Sequence, residues 1–225
     1  MVKRKNNILG LVPARFGSKG IKQKNIRKLW GKPLVAYPIQ NGLDSKYISR
    51  TICTTDSKKI AEIAQSYGAE VPFIRPRKFS DDYSNDLGFV KHALDWLEEK
   101  MNRSYRYCCM IYATAPFVTS KNITMGLEKL IHENADAAIS VATSPFPAQR
   151  AYKINNRGNL KSIWPKHFNT RSQDLPSSYF DAAQFNWTHV ERCHKNNGSE
   201  RQEKPKKIIP LVLPRILVQD LDDFE

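Results

Sequence analysis

"NILGLVPARFGSKGIKQKN" (residues 7–25) sets an apolar run directly against a basic run that carries two glycines. The first eight residues are continuous enough in apolar character to predict a strand buried on both faces, ending near Ala14. In an open parallel sheet, the loop leaving the C-terminal end of a strand is where ligands bind. Gly17 and Gly20 would let backbone N–H groups come close to an anion. Arg15 offers a planar fork for phosphate oxygens, and Lys19 and Lys24 offer flexible point charges. Asn25 could hold a ribose hydroxyl or the loop itself. A triphosphate would use all of this charge; the plainer alternative is a solvated basic loop. The spacing matches neither the Walker A motif nor the dinucleotide fingerprint.

Outward from this stretch, strand and helix signals alternate. "KPLVAYPIQNG" (32–42) predicts a helix opened at Pro33 and closed at Gly42, with Pro38 as its weak point. "SRTICTT" (49–55) predicts a strand. "DSKKIAEIAQSYG" (56–68) predicts a helix capped by Asp56 or Ser57 and stopped by Gly68. "AEVPFI" (69–74) predicts a short strand. Leu87, Val90, Leu94 and Leu97 recur at helical spacing. "YRYCCMIY" (105–112) predicts a central strand, with Cys108 and Cys109 on opposite faces. A Thr- or Ser-capped helix follows from residue 119, then a strand "DAAISVAT" (136–143). The pattern predicts a three-layer α/β/α domain with a largely parallel sheet. After Ser144 the alternation stops until about Lys207, although "AYKINNRGNLKSIW" (151–164) suggests a hairpin turning at Asn156 to Gly158.

The chain has 225 residues, 36 Lys or Arg against 22 Asp or Glu, and a formal charge of +14. Such a balance suits anionic partners, and placement decides which. The first 43 residues hold ten Lys or Arg and no acid, and seven of the ten lie between Arg15 and Lys32. A nucleic-acid surface calls for a wider basic strip with exposed aromatics, whereas Tyr105, Tyr107 and Tyr112 fall in or beside a predicted core strand. No nucleic-acid partner is therefore expected. No apolar run reaches the roughly 18 residues of a membrane span, and the four scattered cysteines lack zinc spacing, so a reduced cytoplasmic protein is expected.

The acidic end "VQDLDDFE" (218–225) opposes the basic start. Asp220 and Asp222 are two apart and, if extended, share one side, where they could hold a magnesium ion; a solvated acidic terminus is the alternative. His92 and His132 are expected on helix surfaces, and His167, His189 and His194 in the irregular region, none of them catalytic. Ser18 lacks the nucleophile-elbow context, so no covalent enzyme intermediate is required.

"PARFGSKGIKQKNIRKLWGKPL" (13–34) resembles the signature of the CMP-sialic acid synthetase-like cytidylyltransferases, which activate nine-carbon sugar acids. The resemblance continues through "TTDSKKIAEIAQSYGAEVPFIRP" (54–76) and "YATAPF" (112–117). "SPFPAQRAYKI" (144–154), "FNTRSQDLP" (168–176), "FDAAQF" (180–185) and "LPRILVQDLD" (213–222) are similar to the branch that acts on pseudaminic acid, with the legionaminic and sialic acid branches as alternatives.

The resemblance implies CTP and magnesium, with pyrophosphate released and a CMP-sugar formed. It places Arg15, Lys19, Lys24 and Asn25 around the phosphates and ribose, with Arg75 and the stretch Asp82 to Asp86 beside the nucleotide. Arg15, Lys19 and Lys24 would stabilise the charge that develops on the leaving group. Arg171, Gln173 and Gln184 would lie toward the sugar acid, and Asp220 and Asp222 would hold the metal. It also implies a homodimer and a division into a nucleotide core (1–143), a dimerisation and sugar-side excursion (144–181) and a return to the core (182–225). Three positions depart from the branch, which usually has proline at Ala113, glycine at Ala183 and an aromatic residue near Asn186.

Overall fold

A computed structural model of the protein describes residues 7–17, 20–80, 86–193, 205–219 and 221, with the backbone alone at 86 and 87. Among the described residues the strands are β1 (Ile8–Pro13), β2 (Lys28–Leu29), β3 (Lys32–Pro33), β4 (Arg50–Thr54), β5 (Tyr107–Ile111), β6 (Ala137–Thr143), β7 (Tyr152–Ile154), β8 (Leu160–Ser162), β9 (Tyr179–His189) and β10 (Ile208–Leu213). The helices are α1 (Ala36–Leu43), α2 (Lys58–Ser66), α3 (Asp86–Met101), α4 (Ser120–His132) and the single turn α5 (Val190–Cys193).

Six strands form one sheet in the order β10-β6-β9-β5-β1-β4. β1 pairs in parallel with β4 and β5, and β10 in parallel with β6. β9 alone runs antiparallel, wedged between β5 and β6. The fold is thus the predicted α/β architecture with a largely parallel sheet. Strand alternation divides the core between two faces. Val12, Cys53 and Cys109 join the side chains of α1, α2 and α4, whereas Leu11, Ile52 and Cys108 join those of α3. Cys108 and Cys109 do face opposite ways, and all four cysteines are buried free thiols.

Local chemistry explains most boundaries. Ser57, not Asp56, caps α2, its hydroxyl accepting from the Ile60 N–H at 3.4 Å. Thr119 caps α4 through the Asn122 N–H at 3.1 Å. Gly68 closes α2 at φ +94°, a backbone region that favours glycine. Two expectations need correction. The helix predicted from Pro33 starts at Ala36, because Pro33 pairs with Lys28 in the small β2–β3 hairpin. Pro38 is then the third helical residue, where a missing N–H leaves no intrahelical bond unmade. Residues 69–74 form no strand of their own; a single bridge joins Glu70 to Ile52.

The largest difference concerns β9, which lies in the region predicted to lack regular structure. It delivers Phe185 and Trp187 into the core, both fully buried, and the Trp187 indole N–H donates to the Ile123 carbonyl at 2.9 Å. His189 accordingly ends a strand rather than lying in an irregular segment. Asp136 ties the bottom of this half together. Its carboxylate accepts from the Lys206 and Lys207 backbone N–H groups at 2.8 and 3.0 Å and from Arg192 at 3.0 Å. These bonds, led by Lys207, hold its pKa below the usual carboxylate value against the opposing effect of burial.

Candidate active site

At the C-terminal ends of β1 and β4 the two chains leave the sheet side by side, with the Ala14 N–H bonded to the Thr54 carbonyl at 3.0 Å. The basic loop that follows is held from three directions. The Phe16 N–H donates to the Asp56 carboxylate at 2.8 Å. The buried Asn25 side chain donates to the Arg15 carbonyl at 2.8 Å, and the Asn25 backbone carbonyl accepts from the Val35 N–H at 2.9 Å. Asn25 therefore fixes the loop, one of its two expected roles. Lys24 opens the 3-10 turn 24–26 directly beside it. A Cβ built on Gly17 would meet nothing within 4 Å among the described residues.

Arg75 is the central cation. Its backbone N–H is bonded to the Thr55 carbonyl at 2.7 Å, so β4's exit loop sets its place. The residue is only 4 % exposed. Its guanidinium donates to the Ser80 hydroxyl at 3.0 Å and lies 5.2 Å from the centre of the Phe89 ring. Burial lowers its pKa first of all; Asp56 opposes that shift, and nearby Arg15 adds to it. Among the described residues no carboxylate lies within 4 Å of this guanidinium. Among the described residues, Arg15, Arg75 and Asp56 thus share one electrostatic neighbourhood, with two cations to one carboxylate. A desolvated cation in such surroundings gains from an added anion.

Asp56, expected as a possible helix cap, instead braces the basic loop by accepting the Phe16 N–H. The signal was present in "TTD" at a strand end, where an acid can serve the neighbouring loop. The loop carrying Arg75 is itself pinned by aromatic contacts: Phe73 and Phe79 pack on His92 with ring centroids 5.0 and 4.9 Å apart, and Phe73 on Trp96 at 5.0 Å. His92 sits in this cluster, half-buried, rather than on an open helix surface.

The sugar-side candidates are dispersed. Arg171 and Gln173 lie on an exposed 3-10 turn, with the Arg171 Nε donating to Asp174 at 2.8 Å. Gln184 is buried in β9, and its amide donates to the Leu217 carbonyl. Lys19, Asp82, Asp220 and Asp222 lie outside the described residues, as do Ser18 and His194 and the side chain of Asp86. Among the described residues no group of three His, Cys, Asp or Glu could hold a metal. No helix among them is long and apolar enough to cross a membrane.

Ala183 adopts φ +48°, the left-handed region that a Cβ disfavours and that suits the glycine expected there. Asn186 lies within 3.4 Å of the Tyr112 hydroxyl. Nothing in the structure explains the alanine at 113, which is simply buried.

A basic, partly desolvated loop cluster at the C-terminal edge of a mostly parallel sheet defines a nucleotide-binding α/β protein. Comparison with known proteins narrows that class. The family model for cytidylyltransferases matches residues 9–212, and the chain belongs to that family. The pseudaminic acid cytidylyltransferase of Campylobacter jejuni strain 81-176 is 34% identical over 223 residues, 96% of this chain and 91% of that one. An N-acylneuraminate cytidylyltransferase of Escherichia coli is 35% identical over 69% of this chain and 36% of its own length. The CMP-N,N'-diacetyllegionaminic acid synthase of Legionella pneumophila is 35% identical over 68% of this chain and 65% of its own. Among solved structures, a CMP:2-keto-3-deoxy-manno-octonic acid synthetase complexed with CTP has a TM-score of 0.67 at 11% identity, covering 97% of this chain and 94% of that one. At that identity it shows the shared fold.

Proposed function

We propose that this cytidylyltransferase transfers CMP from CTP to pseudaminic acid, releasing pyrophosphate. One observation carries the choice of sugar: the match to the Campylobacter pseudaminic acid enzyme extends over 96% of this chain, whereas the sialic and legionaminic acid relatives match 69% and 68%. A match of that length has to take in most of the excursion and of β9, where the sugar-side candidates lie.

In this reading the anomeric hydroxyl oxygen attacks the α-phosphorus of CTP, the bond to the bridging oxygen breaks, and pyrophosphate leaves in line. Arg15, Lys19 and Lys24 neutralise the charge growing on the leaving group, and Arg75 receives the nucleotide from its buried position. Asn25 and Asp56 keep the loop in a fixed shape, so little reorganisation is needed when the phosphates arrive. Arg171 and Gln173 reach the sugar acid, and Gln184 belongs to the same substrate segment. Asp82 and Asp86 flank the nucleotide. Asp220 and Asp222 are hard oxygen donors of the kind magnesium takes, and they are the proposed ligands. Bound there, the ion would supply further charge neutralisation to the triphosphate.

The excursion supports a homodimer. From residue 144 through 181 no residue is buried, yet Phe146, Ile154, Leu160 and Phe168 are all more than half exposed. Apolar side chains in that density gain from being covered by a second copy. A cytoplasmic setting would keep the four buried cysteines as thiols.

The deciding experiment is a panel of nonulosonic acids with CTP and magnesium, followed by mass analysis. A CMP adduct formed fastest from pseudaminic acid is expected. Faster conversion of sialic or legionaminic acid would replace the sugar assignment, and no CTP consumption with any member would end the catalytic one.

A further inference from the structure

Arg75, the buried cation of the candidate site, stands on a loop with little backbone support. Residues 73–80 belong to no strand. Among the described residues, their backbone bonds are Arg75 N–H to the Thr55 carbonyl at 2.7 Å and two that close the 3-10 turn Arg77–Phe79. Those two run from the Phe79 and Ser80 N–H groups to the Pro76 and Arg77 carbonyls, both at 2.9 Å. One stripe of α3 supplies the rest of the support. Phe89, His92 and Trp96 recur at i, i+3 and i+7, so they share a helix face.

His92 meets both ends of that loop. Its ring centre lies 5.0 Å from that of Phe73 at an interplanar angle of 82°, and 4.9 Å from that of Phe79 at 42°. Phe73 stands two residues before Arg75 and Phe79 four residues after it. One ring thus closes the segment 73–79 against α3, with Trp96 backing Phe73 at 5.0 Å. Within the closed loop the Arg75 guanidinium donates to the Ser80 hydroxyl and lies 5.2 Å from the Phe89 ring centre, one helical turn before His92. The Nδ1 of His92 is buried and has no partner among the described residues, so packing, not a bond from that nitrogen, secures the loop. Burial lowers the His92 pKa first of all; Asp95 opposes that shift, and Lys78 and Arg75 add to it. A neutral ring packs there without setting a further cation against Arg75.

We infer that His92 is a positioning residue for nucleotide binding: its ring clamps Phe73 and Phe79 and so sets the place of the Arg75 guanidinium before CTP arrives. This role rests on the reading of Arg75 as a nucleotide contact. A loop already in its binding shape spares the ligand the cost of ordering it. Where only a fraction of the molecules holds that shape, the apparent affinity falls by the same fraction. Loss of the clamp therefore weakens CTP binding, whereas saturating nucleotide restores the shape and leaves kcat nearly unchanged.

His92→Ala removes the ring, and His92→Phe keeps a neutral one. Phe79→Ala breaks the same clamp from the loop side. Arg75→Met, which keeps length without charge, serves as the reference. For each full-length protein, CTP affinity is measured by calorimetry with magnesium present. Hydrogen exchange is followed in peptides covering 73–80 and in β5, and kcat is determined at saturating CTP with the nonulosonic acid that reacts fastest. His92→Ala and Phe79→Ala are expected to exchange at least tenfold faster over 73–80 with β5 unchanged, to bind CTP at least fivefold more weakly and to change kcat by less than twofold. His92→Phe is expected to stay within twofold of the parent in all three. Arg75→Met is expected to bind CTP at least tenfold more weakly.

CTP affinity within twofold of the parent in His92→Ala would overturn the inference. Equal weakening in His92→Ala and His92→Phe, with exchange over 73–80 unchanged, would overturn it in favour of direct contact between the imidazole and the nucleotide. If Arg75→Met keeps the parent's affinity, the assignment of Arg75 itself falls and takes the inference with it. That failure is visible in the reference variant and not in the His92 variants. Faster exchange in β5 of His92→Ala would mark a general loss of folding, and Phe79→Ala and His92→Phe then decide. Weakened CTP binding in the first and parent-like binding in the second, both with β5 protected, uphold the clamp; any other combination overturns it.

Discussion

The half of the chain that carries the basic loop and the excursion after β6 satisfy their side chains in opposite ways. In the first, polar groups find partners within the chain: Asn25 closes on Arg15, Asp56 on Phe16, and Arg75 on Ser80. In the second, none of 38 consecutive residues is fully buried; Arg150 reaches the Thr170 carbonyl at 3.0 Å, and the ion pair between Arg171 and Asp174 is local. A chain segment stays ordered when burial and hydrogen bonding offset its conformational entropy. The first half meets that condition alone. The excursion leaves Phe146, Ile154, Leu160 and Phe168 more than half exposed, and the proposed second copy would offset that exposure by covering them.

The largest effect tests the self-contained half. Arg15→Ala and Lys19→Ala are each expected to lower kcat about 100-fold, corresponding to roughly 3 kcal/mol for a lost preorganised donor. Thermal unfolding should be nearly unchanged. Near-normal turnover in both would show that the charge on this loop is only solvated, and the contrast between the halves would lose its chemical meaning.

Next in size is the packing of β9 under α4. A Cβ on Gly126 would come within 2.8 Å of the Phe185 ring and 2.9 Å of Trp187. Gly126→Ala is expected to destabilise the protein by about 1–3 kcal/mol, as overpacking does, with a lower denaturant midpoint. An unchanged midpoint would mean that β9 yields easily and does not belong to the rigid half.

The excursion is tested by Ile154→Asp combined with Leu160→Asp, on side chains 72 % and 70 % exposed. Sedimentation should show dimer dissociation strengthened at least tenfold, with the unfolding midpoint of the core held. Loss of stability without any change in assembly would place those residues in the chain's own core after all.

Asp136 links β6, β9 and β10, and its pKa is lowered in the folded state. A carboxylate of that kind contributes stability above its unfolded pKa of about 3.9, and the contribution is lost as pH falls through the folded value. Asp136→Asn should therefore cost about 1–3 kcal/mol at pH 7, with the gap to the parent closing below about pH 4. A gap that persists in acid would assign the loss to packing rather than charge. The smallest effect belongs to Ala183→Gly, which relieves a φ of +48°. A gain of up to about 1 kcal/mol in unfolding free energy is expected, reduced by glycine's extra freedom when unfolded.

The first strand and the basic loop that follows it were legible from residues 7–25 alone. Apolar continuity, then glycines among cations, depends on neighbours in sequence, and so do the Ser57 and Thr119 caps and the period of α3. β9 was not legible because its alternation is broken by the bulge at 182–185, where Ala182, Gln184 and Phe185 are all buried. Asp56 looked like a cap because the Phe16 N–H that it accepts comes from 40 residues away in sequence. The amino-acid sequence by itself determined most of the strands and helices and the placement of the positive charge, since these follow from local spacing and side-chain type. Only the tertiary structure decided that an antiparallel strand divides β5 from β6, that Arg75 is desolvated beside Arg15, and that Gln184 grips the C-terminal turn. Those facts depend on which distant segments touch, and contact energies of that kind are set by packing in three dimensions.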